Sequence, residues 1–162
     1  MNILVLGGCG YIGTNLVNRL LENKKNNIEV IDTQWFGNYH KKNKRLKIIK
    51  DDIRNINKYS LKKFKTIVHL ANIANDPAVE LSPELSWNVN VLSTKFIIEK
   101  AIKDGVKNFI FASSGSVYGI KKEKKVTEEL DLNPISTYNK TKMIAERVLL
   151  SYRDKIKIFC VR

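Results

Sequence analysis

The chain has 162 residues, of which 43% are hydrophobic and 28% charged, with a formal net charge of +13. That length fits a single soluble domain able to bury about 70% of its unfolded surface, which removes the need for a disulfide framework or a structural metal. No apolar run approaches the roughly 18 residues of a bilayer span, and Cys9 and Cys160 have neither disulfide nor metal-ligand spacing, which suits a reducing cytoplasm. The N-terminus runs directly into Ile3-Leu4-Val5-Leu6 without the basic lead and long apolar core of a signal peptide. The positive charge raises a nucleic acid or an acidic membrane as partner. Its lysines, however, are scattered in doublets such as Lys24-Lys25, Lys41-Lys42 and Lys62-Lys63, with no basic face interleaved with aromatics. A solvated surface is therefore expected, with no nucleic-acid and no membrane partner, though it would still attract an anionic small molecule.

In chain order, strand-like runs occur at Ile3–Leu6, Ile28–Ile31, Leu46–Ile49, Thr66–Leu70, Asn108–Ala112 and Lys157–Val161. Helical periodicity lies between several of them: Ile12, Leu16 and Leu20; then Leu85 through Ile102; then Met143, Ala145, Val148, Leu149 and Tyr152. Pro83 predicts a first helical turn with Ser82 as its cap, Asp104-Gly105 a helix end, and Pro134 with Ser136 the start of the last long helix. Strands alternating with helices at this spacing predict right-handed βαβ units and an α/β, Rossmann-like doubly wound parallel sheet of order 3-2-1-4-5-6, forming one domain over 1–162.

The segment Gly7-Gly8-Cys9-Gly10-Tyr11-Ile12-Gly13 follows the first strand and opens the first helix. Small residues at Gly7, Gly10 and Gly13 permit a sharp turn, close approach of a pyrophosphate and close helix–strand packing, and the helix N-terminus offers free N–H groups. A glycine triplet alone could also be a tight strand-to-helix turn. The second strand ends at Asp32, about twenty residues on, where an acid is expected to bind the adenosine ribose. Together they predict dinucleotide binding. Asp32 would repel a 2′-phosphate and no arginine follows it, which favours NAD over NADP.

Tyr138 and Lys142 stand four apart, on one face of a helix. Beside an ammonium and a positively charged nicotinamide, a tyrosine pKa is expected to fall from near 10 toward neutrality, giving an acid/base for a sugar hydroxyl. Tyr59–Lys63 and Tyr118–Lys122 share that spacing, but Tyr59 precedes the fourth strand and Tyr118 lies in a loop between Gly115 and Gly119. Only Tyr138 begins a long helix on the expected ligand edge of the sheet. The fifth strand delivers Ser113-Ser114-Gly115-Ser116 to that edge, either as a polar turn or as donors to a substrate oxygen.

These pieces, in this order, resemble the extended short-chain dehydrogenase/reductase family, also called the NAD-dependent epimerase/dehydratase family. The stretches that carry it are Gly7–Gly13, Asp51-Asp52-Ile53-Arg54, His69-Leu70-Ala71-Asn72, Asn90–Thr94, Phe109–Gly119 and Pro134–Lys142. The resemblance implies NAD as cofactor, with Tyr11 and Ile12 at the pyrophosphate, Asp32 at the ribose, Asp52 and Ile53 flanking adenine, Leu70, Ala71 and Asn72 along the cofactor path and Asn90 supporting the site. It implies Ser114, Tyr138 and Lys142 as the catalytic set, the last two also touching cofactor. No metal is expected, since His69 reads as a strand-end residue and His40 is the only other histidine.

Two departures refine this. Where family dehydratases read Thr-Asp-Glu, this sequence reads Ser114-Gly115-Ser116, so water elimination lacks its carboxylates and an epimerase, or a keto-reductase, is favoured. Family members also continue well beyond this length to build a substrate lobe. The expectation is therefore a truncated nucleotide-sugar epimerase lacking that lobe, with a sugar nucleotide as the full-length enzyme's substrate. A non-catalytic NAD-binding module is the alternative. Family members often dimerise through the helices at Leu85–Ile102 and Tyr138–Leu150, which leaves a homodimer open.

Overall fold

The computed structural model describes residues 1–162. Strands β1 (Asn2–Leu6), β2 (Asn27–Asp32), β3 (Leu46–Lys50), β4 (Thr66–His69), β5 (Asn108–Ala112) and β6 (Lys157–Val161) coincide with the six expected runs to within a residue or so at each end. All neighbours pair parallel, in the expected order 3-2-1-4-5-6. Alternate residues of each strand enter opposite layers. Leu4, Leu6, Ile31, Ile67, Phe109 and Phe111 form the larger core under helices α4 (Ser93–Lys103) and α5 (Thr137–Leu150). Ile3, Val5, Ile28, Val30 and Val68 meet Val17 of α1 (Tyr11–Glu22) on the other face. No helix covers the β6 end of that second face, where Phe159 and Val161 stay exposed.

The Leu85–Ile102 periodicity resolves into three pieces. Helix α3 (Pro83–Trp87) runs through a π-helical turn at Asn88–Leu92 into α4. The hydroxyls of Ser93 and Thr94 donate to the carbonyls of Asn88 and Asn90 at 2.8 Å, serving backbone acceptors at the wider turn. Ser82 precedes α3 as expected but its side chain makes no cap bond; its carbonyl instead accepts from the Ser86 N–H and hydroxyl. Just before it lies a short helix the periodicity did not reveal, α2 (Asp76–Leu81), capped by the Asn75 side chain accepting from the Ala78 N–H. Asn75-Asp76-Pro77 reads as a turn in sequence, yet proline is tolerated in a first helical turn, where its missing N–H would be unpaired anyway. Ser136 caps α5 by accepting from the Asn139 N–H.

One buried ion pair joins α5 to the end of β6. The Glu146 carboxylate, wholly buried, accepts from the Arg162 guanidinium, with the shortest contact at 2.7 Å, and from the Ser113 hydroxyl. Arg162 also donates to the Tyr118 hydroxyl at 2.8 Å. Removing one partner of such a pair strands a charge in low dielectric, at about 3–5 kcal/mol. Arg162→Met is therefore expected to lower stability by about that amount, and adding Glu146→Leu to recover most of it. Urea unfolding midpoints compare the two; a double variant no more stable than the single one would contradict this account of the pair.

Candidate functional site

A groove of about 780 Å³ runs across the carboxyl ends of the strands, within the ~300–1,000 Å³ of ligand pockets. Its floor is the glycine turn, with Gly7, Gly10, Tyr11, Ile12 and Gly13 all on its wall. Gly7 has φ +82°, and a side chain there would meet the Ala71 backbone at 2.5 Å. A Cβ on Gly13 would lie 2.4 Å from the Gly7 carbonyl oxygen. Both positions therefore exclude alanine by contact with backbone that has no freedom to move away. The first turn of α1 carries no acid and no side-chain cap, and Gly10 precedes it. Its N–H groups are left for an external acceptor, which an anion beside the helix N-terminus would satisfy.

At the β2 end, the Asp32 carboxylate closes onto its own loops. One oxygen accepts from the Cys9 N–H at 2.9 Å and the other from the Gln34 N–H at 2.6 Å. Asp32 thus ties the glycine turn to the segment after β2 while lining the groove. Asp52 and Ile53 line it from the segment after β3. The Arg54 guanidinium chelates the Asp52 carboxylate, at 2.7 and 3.0 Å, and holds its pKa below the ordinary carboxylate range. Leu70, Ala71 and Asn72 continue the wall after β4.

Ser114, Tyr138 and Lys142 gather at the β5 end. Lys142 is buried; its ammonium donates to the Ala112 carbonyl at 2.7 Å and lies 4.6 Å from the Phe111 ring centre. Ala112 itself lines the groove. Burial pulls the Lys142 pKa down to about 8, against a smaller upward pull from Glu146. The Tyr138 phenol is raised rather than lowered: burial dominates, Asp76 adds to it, and the Ser114 hydroxyl beside the phenol works the other way. The sequence expectation of a depressed phenol considered Lys142 and a nicotinamide but not the desolvation of the ring. Ser114 also shares a 2.7 Å hydrogen bond with the Ser116 hydroxyl.

Ser114, Tyr138 and Lys142 do not themselves form the groove wall, and neither does Asn90, also expected among the cofactor-binding positions. Its buried amide accepts from the Ile73 N–H at 2.8 Å and donates to the Ile73 carbonyl and the Thr141 hydroxyl, both at 3.1 Å. It braces the loop after β4 against α5, and Ile73 in turn lines the groove. The rival tyrosines are engaged elsewhere: Tyr59 donates to Asp51, and Tyr118 is buried against Arg162. His69 is buried at the strand end, paired through Nε2 with the Thr94 hydroxyl at 2.9 Å, and burial pushes its pKa down to about 3. No group of three or more His, Cys, Asp or Glu side chains is placed to hold a metal. Sequence reasoning passed over Trp35, Phe36 and Tyr39, which also line the groove; the available signal was three aromatics crowded into five positions just after Asp32.

The buried ammonium makes a stability prediction. With its folded pKa near 8 against an ordinary 10.5, Lys142 is protonated in the unfolded chain and deprotonated in the folded one between those values. Stability from this group therefore rises with pH across that window and is at its minimum below it. Lys142→Met is expected to raise the melting temperature at pH 7, with the advantage shrinking between pH 8 and 10.5. Thermal melts at both ends of the window measure it, and a constant difference would contradict the burial argument.

The family model for the NAD dependent epimerase/dehydratase family matches residues 3–162. A UDP-glucose 4-epimerase from Lactobacillus helveticus is 30% identical over 96% of this chain and 48% of its own length. A putative UDP-glucose 4-epimerase from Methanocaldococcus jannaschii is 32% identical over 93% of this chain and 50% of its own. The chain thus spans about half the length of these relatives. Among solved structures, the UDP-glucose 4-epimerase of Thermotoga maritima with UDP-glucose aligns with a TM-score of 0.88 and 31% identity, covering 100% of this chain and 55% of that one. The UDP-glucose 4-epimerase of Thermus thermophilus in complex with NAD gives a TM-score of 0.88 and 25% identity, covering 100% and 54%. With the model match running from the first strand to the last, the chain belongs to the NAD-dependent epimerase/dehydratase family.

Proposed function

We propose that residues 1–162 are the NAD-binding and redox half of a nucleotide-sugar epimerase, and that further polypeptide contributes the sugar-nucleotide lobe. What supports this reading is a groove lined by an uncapped helix N-terminus, by Asp32 and by Ala112, whose carbonyl accepts from the Lys142 ammonium, with Ser114 and Tyr138 side by side just beyond β5. Relatives named UDP-glucose 4-epimerase make UDP-hexoses the first substrates to test.

Bound NAD would supply the two-electron acceptor and donor that the side chains lack. The Tyr138 phenolate takes the proton from a sugar hydroxyl as that carbon is oxidised, and returns it to the oxygen when the opposite face is reduced. Ser114 donates to the same oxygen. Burial and the Asp76 carboxylate both oppose the phenolate, so this reading calls for a cation to hold it. Lys142 gives one N–H to Ala112 and keeps two for the phenol and the ligand. In Ser114-Gly115-Ser116 the turn after β5 offers hydroxyls and no carboxylate, which supports epimerisation or keto-reduction over dehydration.

No helix is long and apolar enough to cross a membrane. The two cysteines are unpaired, as suits a reducing compartment, and the cytoplasm is the proposed location. Leu92 and Phe96, one turn apart and 47% and 52% exposed, make the face proposed to pair two copies as a homodimer.

Tyr138→Phe is expected to lower turnover of a UDP-hexose by about 10²–10⁴-fold with NAD affinity unchanged; retained turnover would remove Tyr138 from the chemistry. Asp32→Asn is expected to weaken NAD binding and narrow the preference over NADP, both read by calorimetry. Sedimentation of Phe96→Glu checks the assembly: a dimer that survives the charge pairs through some other face.

A further inference from the structure

The topology sends the two ends of a dinucleotide to opposite ends of the groove. The reacting ring must lie by Tyr138, beyond β5, so the other base lies toward β2 and β3. There the wall is formed by Ile53 and by the segment after β2, which brings Trp35, Phe36 and Tyr39 to the groove. The three rings are 62%, 80% and 75% exposed, and none joins either apolar layer of the sheet. Aromatic surface left in water beside a ligand groove gains most by covering a flat partner.

The segment holding them is anchored at both ends to the ligand machinery. On one side, the Gln34 N–H binds Asp32, and Gln34 adopts the left-handed conformation at φ 57°. This fixes where the chain emerges as Trp35. On the other side, His40 Nε2 is 2.8 Å from the Gly8 carbonyl oxygen, inside the glycine turn. The aromatic segment therefore spans from the ribose-facing acid to the phosphate-facing turn, clamped at each.

We propose that Trp35 is the stacking platform for the adenine base, a binding residue additional to the acid and glycines, and that the Asp32 and His40 contacts hold its segment in place to receive it. This rests on the NAD reading above. Purines stack on indole through their π-faces without hydrogen-bond readout, so the platform adds affinity for the adenosine half of the ligand and none for the nicotinamide half.

The test titrates the protein with NAD, ADP-ribose and nicotinamide mononucleotide by calorimetry and by tryptophan fluorescence. Trp87 is the only other tryptophan, so Trp87→Phe isolates the Trp35 signal. ADP-ribose is expected to quench that emission, and nicotinamide mononucleotide to leave it unchanged. Trp35→Ala is expected to weaken ADP-ribose and NAD about tenfold or more, with Trp35→Phe falling between. Trp35 is mostly exposed, so circular dichroism should show the alanine variant folded; Trp35→Phe carries the test if it is not. Normal ADP-ribose binding with no quench and no loss in either variant overturns the platform and leaves the NAD reading standing. Absence of calorimetric binding by the wild-type protein overturns the NAD reading, and the platform with it.

Discussion

The contact between the glycine turn and the first helix governs the rest of the structure. Gly13 lets α1 approach the Gly7 carbonyl more closely than a side chain would allow, and Gly7 lets the turn pass against the Ala71 backbone. These two approaches bring the N-terminus of α1 to the carboxyl edge of the central strand, between the β2 and β4 walls. With the helix farther off, the groove would lose its floor and its free N–H groups together. Asp32 then reaches the same turn from the neighbouring strand through Cys9, so the acid and the helix N-terminus keep a fixed separation.

At the other end of the groove, precision comes from buried polar groups. Lys142, Glu146, Asn90 and His69 are all buried near the β5 edge, and each has a specific partner: Ala112, Arg162, Ile73 and Thr94. A polar interior of this kind is less favourable than an apolar one unless its bonds are made. Here it holds the Ser113–Ser114 turn, the loop after β4 and α5 in one mutual arrangement. The π-helical turn takes part, since it carries Asn90, the residue that links two of those elements. Burial moves two titratable groups there in opposite directions, the Tyr138 phenol up and the Lys142 ammonium down.

The two ends differ in kind. The β5 end is buried and hydrogen-bonded. The β2 end combines a carboxylate committed to backbone N–H groups with exposed aromatic rings.

Much of this was legible in the residues. Six apolar runs separated by helical periodicity specify a parallel sheet, because side-chain period and connection length leave few alternatives, and Gly7–Gly13 with Asp32 marks one edge of it. Of three Tyr–Lys pairs, strand order sets aside only Tyr59; Tyr118 is set aside by lying in a glycine-flanked loop, which leaves Tyr138 at the head of a long helix. What only the tertiary structure decided depends on neighbours distant in sequence. Desolvation sets the direction of the Tyr138 and Lys142 shifts, and local spacing says nothing of burial. Asn90 turns inward to Ile73 and Thr141 because the π-helical turn places it there. Trp35, Phe36 and Tyr39 read as loop residues until His40 meets Gly8 and folds their segment onto the groove, a contact between positions 32 residues apart that no periodicity encodes.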